Sequence, residues 1–171
     1  MKKNLLIMFL LFAAGMTANA QKFALIDMEY ILKNIPAYQR ANNELNQVSK
    51  QWQGEVEKLG KEAKSLYDSY QSSVKTLSEA QRTKREEEIV AKEKSAAELR
   101  RKYFGPEGEL FKKREALMQP IQDEIYEAVK EIATQRGYAA VIDRASASSI
   151  IFASPNIDIS NEVLVKLGYS N

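Results

Sequence analysis

Residues 36–77 read PAYQRANNELNQVSKQWQGEVEKLGKEAKSLYDSYQSSVKTL, and the apolar spacing within this stretch decides the fold. Tyr38, Ala41, Leu45, Val48, Trp52, Val56, Leu59, Ala63, Leu66, Tyr70, Val74 and Leu77 follow one another by threes and fours. Eleven steps cover 39 residues, a mean of about 3.5, which is the repeat of a coiled-coil seam. Val48-Trp52-Val56 and Leu66-Tyr70-Val74 each take two steps of four in succession. Such extra residues locally unwind a supercoil, so only weak supercoiling is expected. A run of this length exceeds one face of an ordinary globular helix.

Working outward, residues from about Pro36 to Arg136 are rich in Glu, Lys, Gln, Ala, Arg and Leu, all strong helix formers. Pro36 suits a first helical turn, and Arg136-Gly137 is a helix stop. Ile89, Ala96, Leu99 and Tyr103, then Leu110, Leu117, Ile121, Ile125, Val129 and Ile132, repeat the apolar pattern less regularly. Glu57/Lys61, Glu88/Lys92 and Glu98/Lys102 have the spacing of helical ion pairs.

Short apolar runs flank this region: Lys22-Phe23-Ala24-Leu25-Ile26-Asp27 before it and Tyr138-Ala139-Ala140-Val141-Ile142-Asp143 after it. Both read as buried strands. If they pair in one sheet, the outgoing and returning helices must match in length, and the turn falls near the middle. Ser78 with Gln81 three residues on is a capping box, which places the tip at about Lys75–Ser78. Each arm of roughly 40–55 residues then reaches about 60–80 Å. Phe104-Gly105-Pro106-Glu107-Gly108 is the strongest breaker, but a tip there leaves unequal arms. It is expected to interrupt the returning arm, and Pro120 to kink it mildly.

The remaining segments are short. Asp27 is available to cap one or two helical turns over Met28–Asn34. Ile150-Ile151-Phe152-Ala153 reads as a third strand and Ile157-Asp158-Ile159 as a fourth, with Ser160 capping a last helix over Asn161–Lys166. At the other end, Lys2-Lys3, the apolar run Leu5–Ala14 and Ala18-Asn19-Ala20 form a secretory signal with cleavage expected after Ala20. The expected layout is a signal at 1–20, a body at 21–35 and 137–171, and a helical arm at 36–136. This is an α+β chain. Strands so short leave apolar edges open, so several copies are expected to assemble through Phe23, Leu25, Ile26, Val141, Ile142, Ile150, Ile151 and Phe152.

The chain has 25 basic and 23 acidic residues, no Cys and no His. Loss of Lys2 and Lys3 with the signal makes the mature chain neutral, so no nucleic-acid footprint is expected. Without Cys or His, disulfides, thiol nucleophiles and imidazole bases are excluded. No phosphate-cradling glycine loop occurs, and no cofactor or metal is expected. Glu86-Glu87-Glu88 reads as a solvated helix face. Carboxylates are the one catalytic option left, and Asp27 and Asp143 at strand ends read as caps. No enzyme activity is expected. Apolar groups towards the tip face Arg82–Glu88, which has no apolar residue, so Leu59, Leu66, Tyr67, Tyr70, Val74, Leu77 and Ile89 are candidates to hold extended chains weakly.

The order of these parts resembles the OmpH/Skp family of periplasmic chaperones. The likeness rests on the signal, Lys22-Phe23-Ala24-Leu25-Ile26-Asp27-Met28, the charged hairpin and Gly137-Tyr138-Ala139-Ala140-Val141-Ile142-Asp143. Asp158-Ile159-Ser160-Asn161-Glu162-Val163-Leu164 completes it. The resemblance implies a homotrimer with a β-barrel-type body and helical tentacles around a cavity. It implies a periplasmic holdase that binds unfolded outer-membrane proteins without ATP. The neutral charge departs from the basic members of the family and counts against lipopolysaccharide or membrane contact. The competing function is a structural coiled-coil spacer or adaptor of the envelope.

Overall fold

The computed structural model describes residues 22–147 and 149–169; the expected signal lies outside them. The elements are strand β1 (Lys22–Ile26), helices α1 (Met28–Lys33), α2 (Pro36–Ser73), α3 (Glu79–Phe104) and α4 (Glu109–Arg136), strand β2 (Tyr138–Asp143), a 3-10 turn (Pro155–Ile157) and helix α5 (Ser160–Lys166). The chain divides into two units. One is Leu32–Tyr126; the other combines the described residues of Met1–Ile31 and Glu127–Asn171.

In the helical unit, α2 begins with Pro36 in its first turn and runs 38 residues. The Ser78 hydroxyl accepts from the Gln81 N–H at 3.4 Å, and the Gln81 side-chain oxygen accepts from the Ser78 N–H at 3.0 Å. This reciprocal cap starts α3 and satisfies two otherwise orphaned donors. The chain reverses there. Glu44 meets Lys113 at 2.6 Å, Tyr103 donates to Glu55 at 2.6 Å, Lys92 meets Glu62 at 2.9 Å, and Tyr70 donates to Glu86. The midpoint of each pair falls between residues 77 and 79, so α2 runs antiparallel to α3 and to the start of α4.

The glycine–proline segment separates α3 from α4 within this returning limb. Its backbone is tightly tied: the Gly105 N–H donates to Arg101 O at 2.9 Å, Gly108 N–H to Gly105 O at 2.9 Å, and Lys112 N–H to Gly108 O at 3.1 Å. A Cβ at Gly108 would lie 2.7 Å from Tyr103 O and 2.9 Å from Lys102 O. Neither glycine has a positive φ, so close approach, not a left-handed backbone, demands them. Pro120 lies inside α4, which continues through it.

Two expected helical ion pairs give way to other partners. Lys92 takes Glu62 across the hairpin instead of Glu88, which pairs with Arg85. Glu98 takes Lys94, while Lys102 lies 5.7 Å from the centre of the Tyr103 ring. Glu57–Lys61 is present at 3.9 Å. Exposed pairs are worth so little that a nearby competitor redirects them.

In the other unit, β1 and β2 pair in parallel, with Phe23 opposite Ala140 and Ile26 opposite Asp143; the register shifts between Lys22 and Phe23. Ala24, Leu25, Ile26, Ile31, Ala128, Ile132, Ile159, Val163 and Leu164 are buried. The expected third strand is not formed: Ile150–Ala153 has no regular structure, and Phe152 is 85% exposed. A strand needs a ladder partner for its backbone groups, and among the described residues none meets this segment. The expected fourth strand is also replaced. Pro155–Ile157 is a 3-10 turn, and only Asp158 bridges to Leu25.

Ser160 proves not to be a cap. It is the first residue of α5 and is buried, and the N-cap is Ile159. Its hydroxyl accepts from the Asp27 N–H at 2.8 Å and donates to Asp158 at 2.6 Å, while Asp158 also accepts the Ser160 N–H at 2.9 Å. Asp158 thus does the capping, and Ser160 is free to bind the end of β1. Arg144 adds contacts to Asp27 at 3.1 Å and Asp158 at 3.3 Å.

Candidate functional site

The two aspartates that carried the catalytic option are both engaged by backbone N–H groups. Asp27 accepts the Tyr30 N–H at 2.8 Å and caps α1. Asp143 accepts the N–H groups of Met28 at 3.1 Å and Ala145 at 3.0 Å. Burial opposes ionisation of Asp143, but these N–H groups and Ser146 outweigh it and hold the carboxyl below its ordinary range. Such a group is a poor proton carrier near neutral pH. Among the described residues, no group of three or more acidic side chains is arranged to hold a metal.

What the chain does present is apolar surface. On α2 only Ala41, Leu45 and Ala63 are buried. Leu59, Leu66, Tyr70, Val74 and Leu77, all expected contacts for an extended chain, are half-buried, and Tyr67 is 48% exposed. Ile89, expected in the same set, is 6% exposed and belongs to the hairpin interior. The reason lies in the facing limb: α3 opens with charged and polar residues and supplies only Ile89 as a buried side chain. A single helix with so few apolar groups cannot close over a seam of aromatic and branched side chains.

Polar clamps hold the limbs where the apolar cover is thin. Trp52 stacks on Tyr103 with ring centres 4.6 Å apart and planes 6° from parallel. The Tyr103 hydroxyl donates to Glu55, which lowers the Glu55 carboxyl and raises the Tyr103 phenol relative to their ordinary values. Tyr70 is raised in the same way by Glu86, and Glu62 is lowered by Lys92. Beside the Trp52–Tyr103 stack runs an open groove between α2 and α3. Val56, Glu57 and Gly60 form one wall, and Ala96, Ala97, Arg100, Arg101 and Phe104 the other.

In the other unit, Leu25 and Ile26 are buried and Val141 and Ile150 are half-buried. Phe23, Ile142, Ile151 and Phe152 are exposed. The eight residues expected at an interface between copies therefore split into an interior group and an outward group. The exposed Val90 and Phe111 and the groove around Phe104 were outside the expected set. These side chains sit one position beyond the seam, where a count restricted to the seam passes them over.

The comparisons with known proteins follow the same outline. The family model described as outer membrane protein (OmpH-like) matches residues 22–167. The chain is similar to the chaperone protein Skp of Yersinia enterocolitica, 25% identical over 154 residues and covering 89% of each chain. It is also similar to the chaperone protein Skp of Photorhabdus luminescens, 28% identical over 160 residues and covering 88% of each. An OmpH-like crystal structure from Caulobacter crescentus shares the fold, with a TM-score of 0.69 at 11% identity, over 86% of this chain and 83% of that one.

Proposed function

This chain belongs to the OmpH-like outer membrane protein family, and on that premise we propose that it is a periplasmic holdase. It binds unfolded outer-membrane proteins and keeps them from aggregating, without ATP. The observation that carries the reading is the incompletely covered hairpin. Beyond Ala63 no residue of α2 is buried, yet Leu66, Tyr67 and Tyr70 lie there. Apolar surface left open along a charged limb suits weak, dispersed contacts with chains of many sequences. The likeness to two Skp chaperones supports the chaperone role.

Assembly belongs to the same proposal. A two-stranded sheet with open edges and outward Phe23, Ile142, Ile151 and Phe152 calls for cover from other copies. Three copies, joined through this unit, would gather three hairpins around one client space.

The test mixes purified mature protein with a urea-unfolded outer-membrane porin, without nucleotide, and follows light scattering on dilution. Suppression of scattering at a few-fold molar excess is expected. Undiminished aggregation would overturn the holdase reading. Sedimentation equilibrium on the same sample is expected to give three times the chain mass, and a stable monomer at micromolar concentration would overturn the assembly.

A further inference from the structure

The returning limb carries its apolar residues in doublets seven apart: Ile89-Val90, Ala96-Ala97, Tyr103-Phe104, Leu110-Phe111 and Leu117-Met118. The first member of each doublet belongs to the seam. The second lies about 100° further round the helix. Within α3, Val90, Ala97 and Phe104 share that second face. Val90 is 61% exposed, Ala97 is exposed and Phe104 is half-buried. One apolar stripe is enough to pair two helices. Pairing with α2 does not account for a second.

The second stripe borders the groove beside the Trp52–Tyr103 stack. From Val56 and Gly60 the groove continues past Ala63, Lys64 and Tyr67 on α2 and Glu93 and Ala96 on α3. Between Val56 and Tyr67 it runs about 16 Å at 1.5 Å per residue. That length takes about five residues of extended chain at roughly 3.3 Å each. Gly60 lies in the wall, and a Cβ there would meet nothing within 4 Å. Glycine inside a helix costs about 1 kcal/mol against alanine, so a larger residue fits at this position without loss of helix stability.

Charge selects among occupants. Arg100 and Arg101 stand on the groove wall, exposed, and neither side chain has an ion pair among the described residues. Glu57 is engaged with Lys61 and Lys64 with Asp68, which leaves Glu93 as the opposing free charge. Next to Phe104 and Val56 the groove is therefore apolar with a local positive excess, although the mature chain as a whole is neutral.

We infer that this groove, flanked by Phe104, Gly60 and the Arg100–Arg101 pair, is a docking site for extended segments of unfolded polypeptide that combine aromatic with acidic side chains. Aromatic rings lie on the Val56–Phe104 surface, and carboxylates meet the two guanidinium groups. The inference rests on the holdase reading and deepens it. Client contact is placed on the flank of the hairpin, and client choice follows local rather than net charge.

Trp52 is the sole tryptophan and stacks beside Phe104's neighbour, so its emission reports on the groove. The probe is a ten-residue peptide in which Phe alternates with Asp and Ser, free of Trp and Tyr; the comparison peptide has Lys for Asp. The acidic peptide is expected to shift Trp52 emission saturably and to bind about tenfold more tightly than its Lys counterpart. Added salt is expected to weaken it. Gly60→Leu fills the groove at a position with open space, and is expected to raise the melting temperature while weakening peptide binding at least tenfold. The Arg100→Glu/Arg101→Glu double variant is expected to abolish the preference for Asp over Lys.

Equal binding of both peptides, or unchanged binding by the two variants, overturns the groove. The porin scattering assay, run on the same samples, separates the two levels. If the unaltered protein protects the porin while the peptide results are negative, the groove falls and the holdase reading stands. If the unaltered protein fails to protect the porin, both fall.

Discussion

Gly108→Ala is the sharpest test of how the returning limb is built. A methyl group at this position would lie 2.7 Å from Tyr103 O, 2.9 Å from Lys102 O and 2.9 Å from Gly105 N. All three are backbone atoms, so no side-chain rotation relieves the overlap. The segment must shift by several tenths of an ångström. That shift strains the 2.9 Å bond from the Gly108 N–H to Gly105 O and the 3.1 Å bond from the Lys112 N–H to Gly108 O. Overpacking costs about 1–3 kcal/mol, and each weakened hydrogen bond up to about 1 kcal/mol more. A total of about 2–4 kcal/mol is expected. For a chain of this size that lowers Tm by about 5–15 °C. Gly54→Ala provides the opposite sign. Gly54 lies inside α2, and its Cβ would meet nothing within 4 Å, so the substitution is expected to stabilise by about 1 kcal/mol. Thermal melts by circular dichroism at 222 nm, at one fixed protein concentration, compare the three proteins. If Gly108→Ala melts at or above the unaltered protein, the steric account of the break is wrong.

Three further perturbations bear on other parts. Ser160→Ala removes a buried hydroxyl that accepts from Asp27 and donates to Asp158, and is expected to cost about 1–3 kcal/mol by denaturant titration; a loss within error would mean that water replaces it. Tyr103→Phe keeps the ring on Trp52 but removes the bond to Glu55. Because Glu55 is lowered, its contribution is present above the ordinary carboxylate range and is lost as pH falls through the lowered value. Because Tyr103 is raised, its contribution is present below the ordinary phenol range and is lost as pH rises through the raised value. Denaturation midpoints across pH are therefore expected to converge for the two proteins at both extremes. Under the proposed trimer, Phe152→Asp is expected to shift sedimentation towards the monomer mass, since this exposed side chain contacts little within its own chain; an unchanged mass would remove this segment from the interface.

The apolar spacing made the helices and their reversal legible, because helical periodicity and capping chemistry are local properties. Ser78 and Gln81 announce a helix start three residues apart. The sheet was legible through a different constraint, the need of two apolar runs for each other. Ile150–Ala153 misled because an apolar, branched run looks like a strand wherever it stands, while a strand exists only where another chain segment offers its edge. Ser160 misled for a related reason. A serine before a helix usually caps it, but here Asp158, two residues earlier, takes that role. The groove was missed because Ala97, Arg100, Arg101 and Phe104 in its wall lie off the seam, and only the packed hairpin distinguishes a covered face from an open one.

The long-range contacts set the order in which this architecture can form. Ile26 and Tyr138, which bound the strands, are separated by 111 residues, and closing a flexible loop of that length costs about 4 kcal/mol. Two short parallel strands recover little of that. The hairpin changes the cost. Its capping box and its Glu62–Lys92, Glu55–Tyr103 and Glu44–Lys113 contacts can form in sequence from the tip, each new contact closing only the few residues beyond the last. Once Glu44 meets Lys113, the remaining closure is short. Folding from the tip is therefore expected to precede strand pairing, with the bonds across the greatest separation, Ile159 N–H to Leu25 O and Asp27 N–H to the Ser160 hydroxyl, forming last. A chain built this way carries its sparsest apolar cover in the part expected to form first. Under the proposed holdase function, the capping box, the Trp52–Tyr103 stack and the Tyr103–Glu55 bond hold that part while its apolar side chains stay open to client chains.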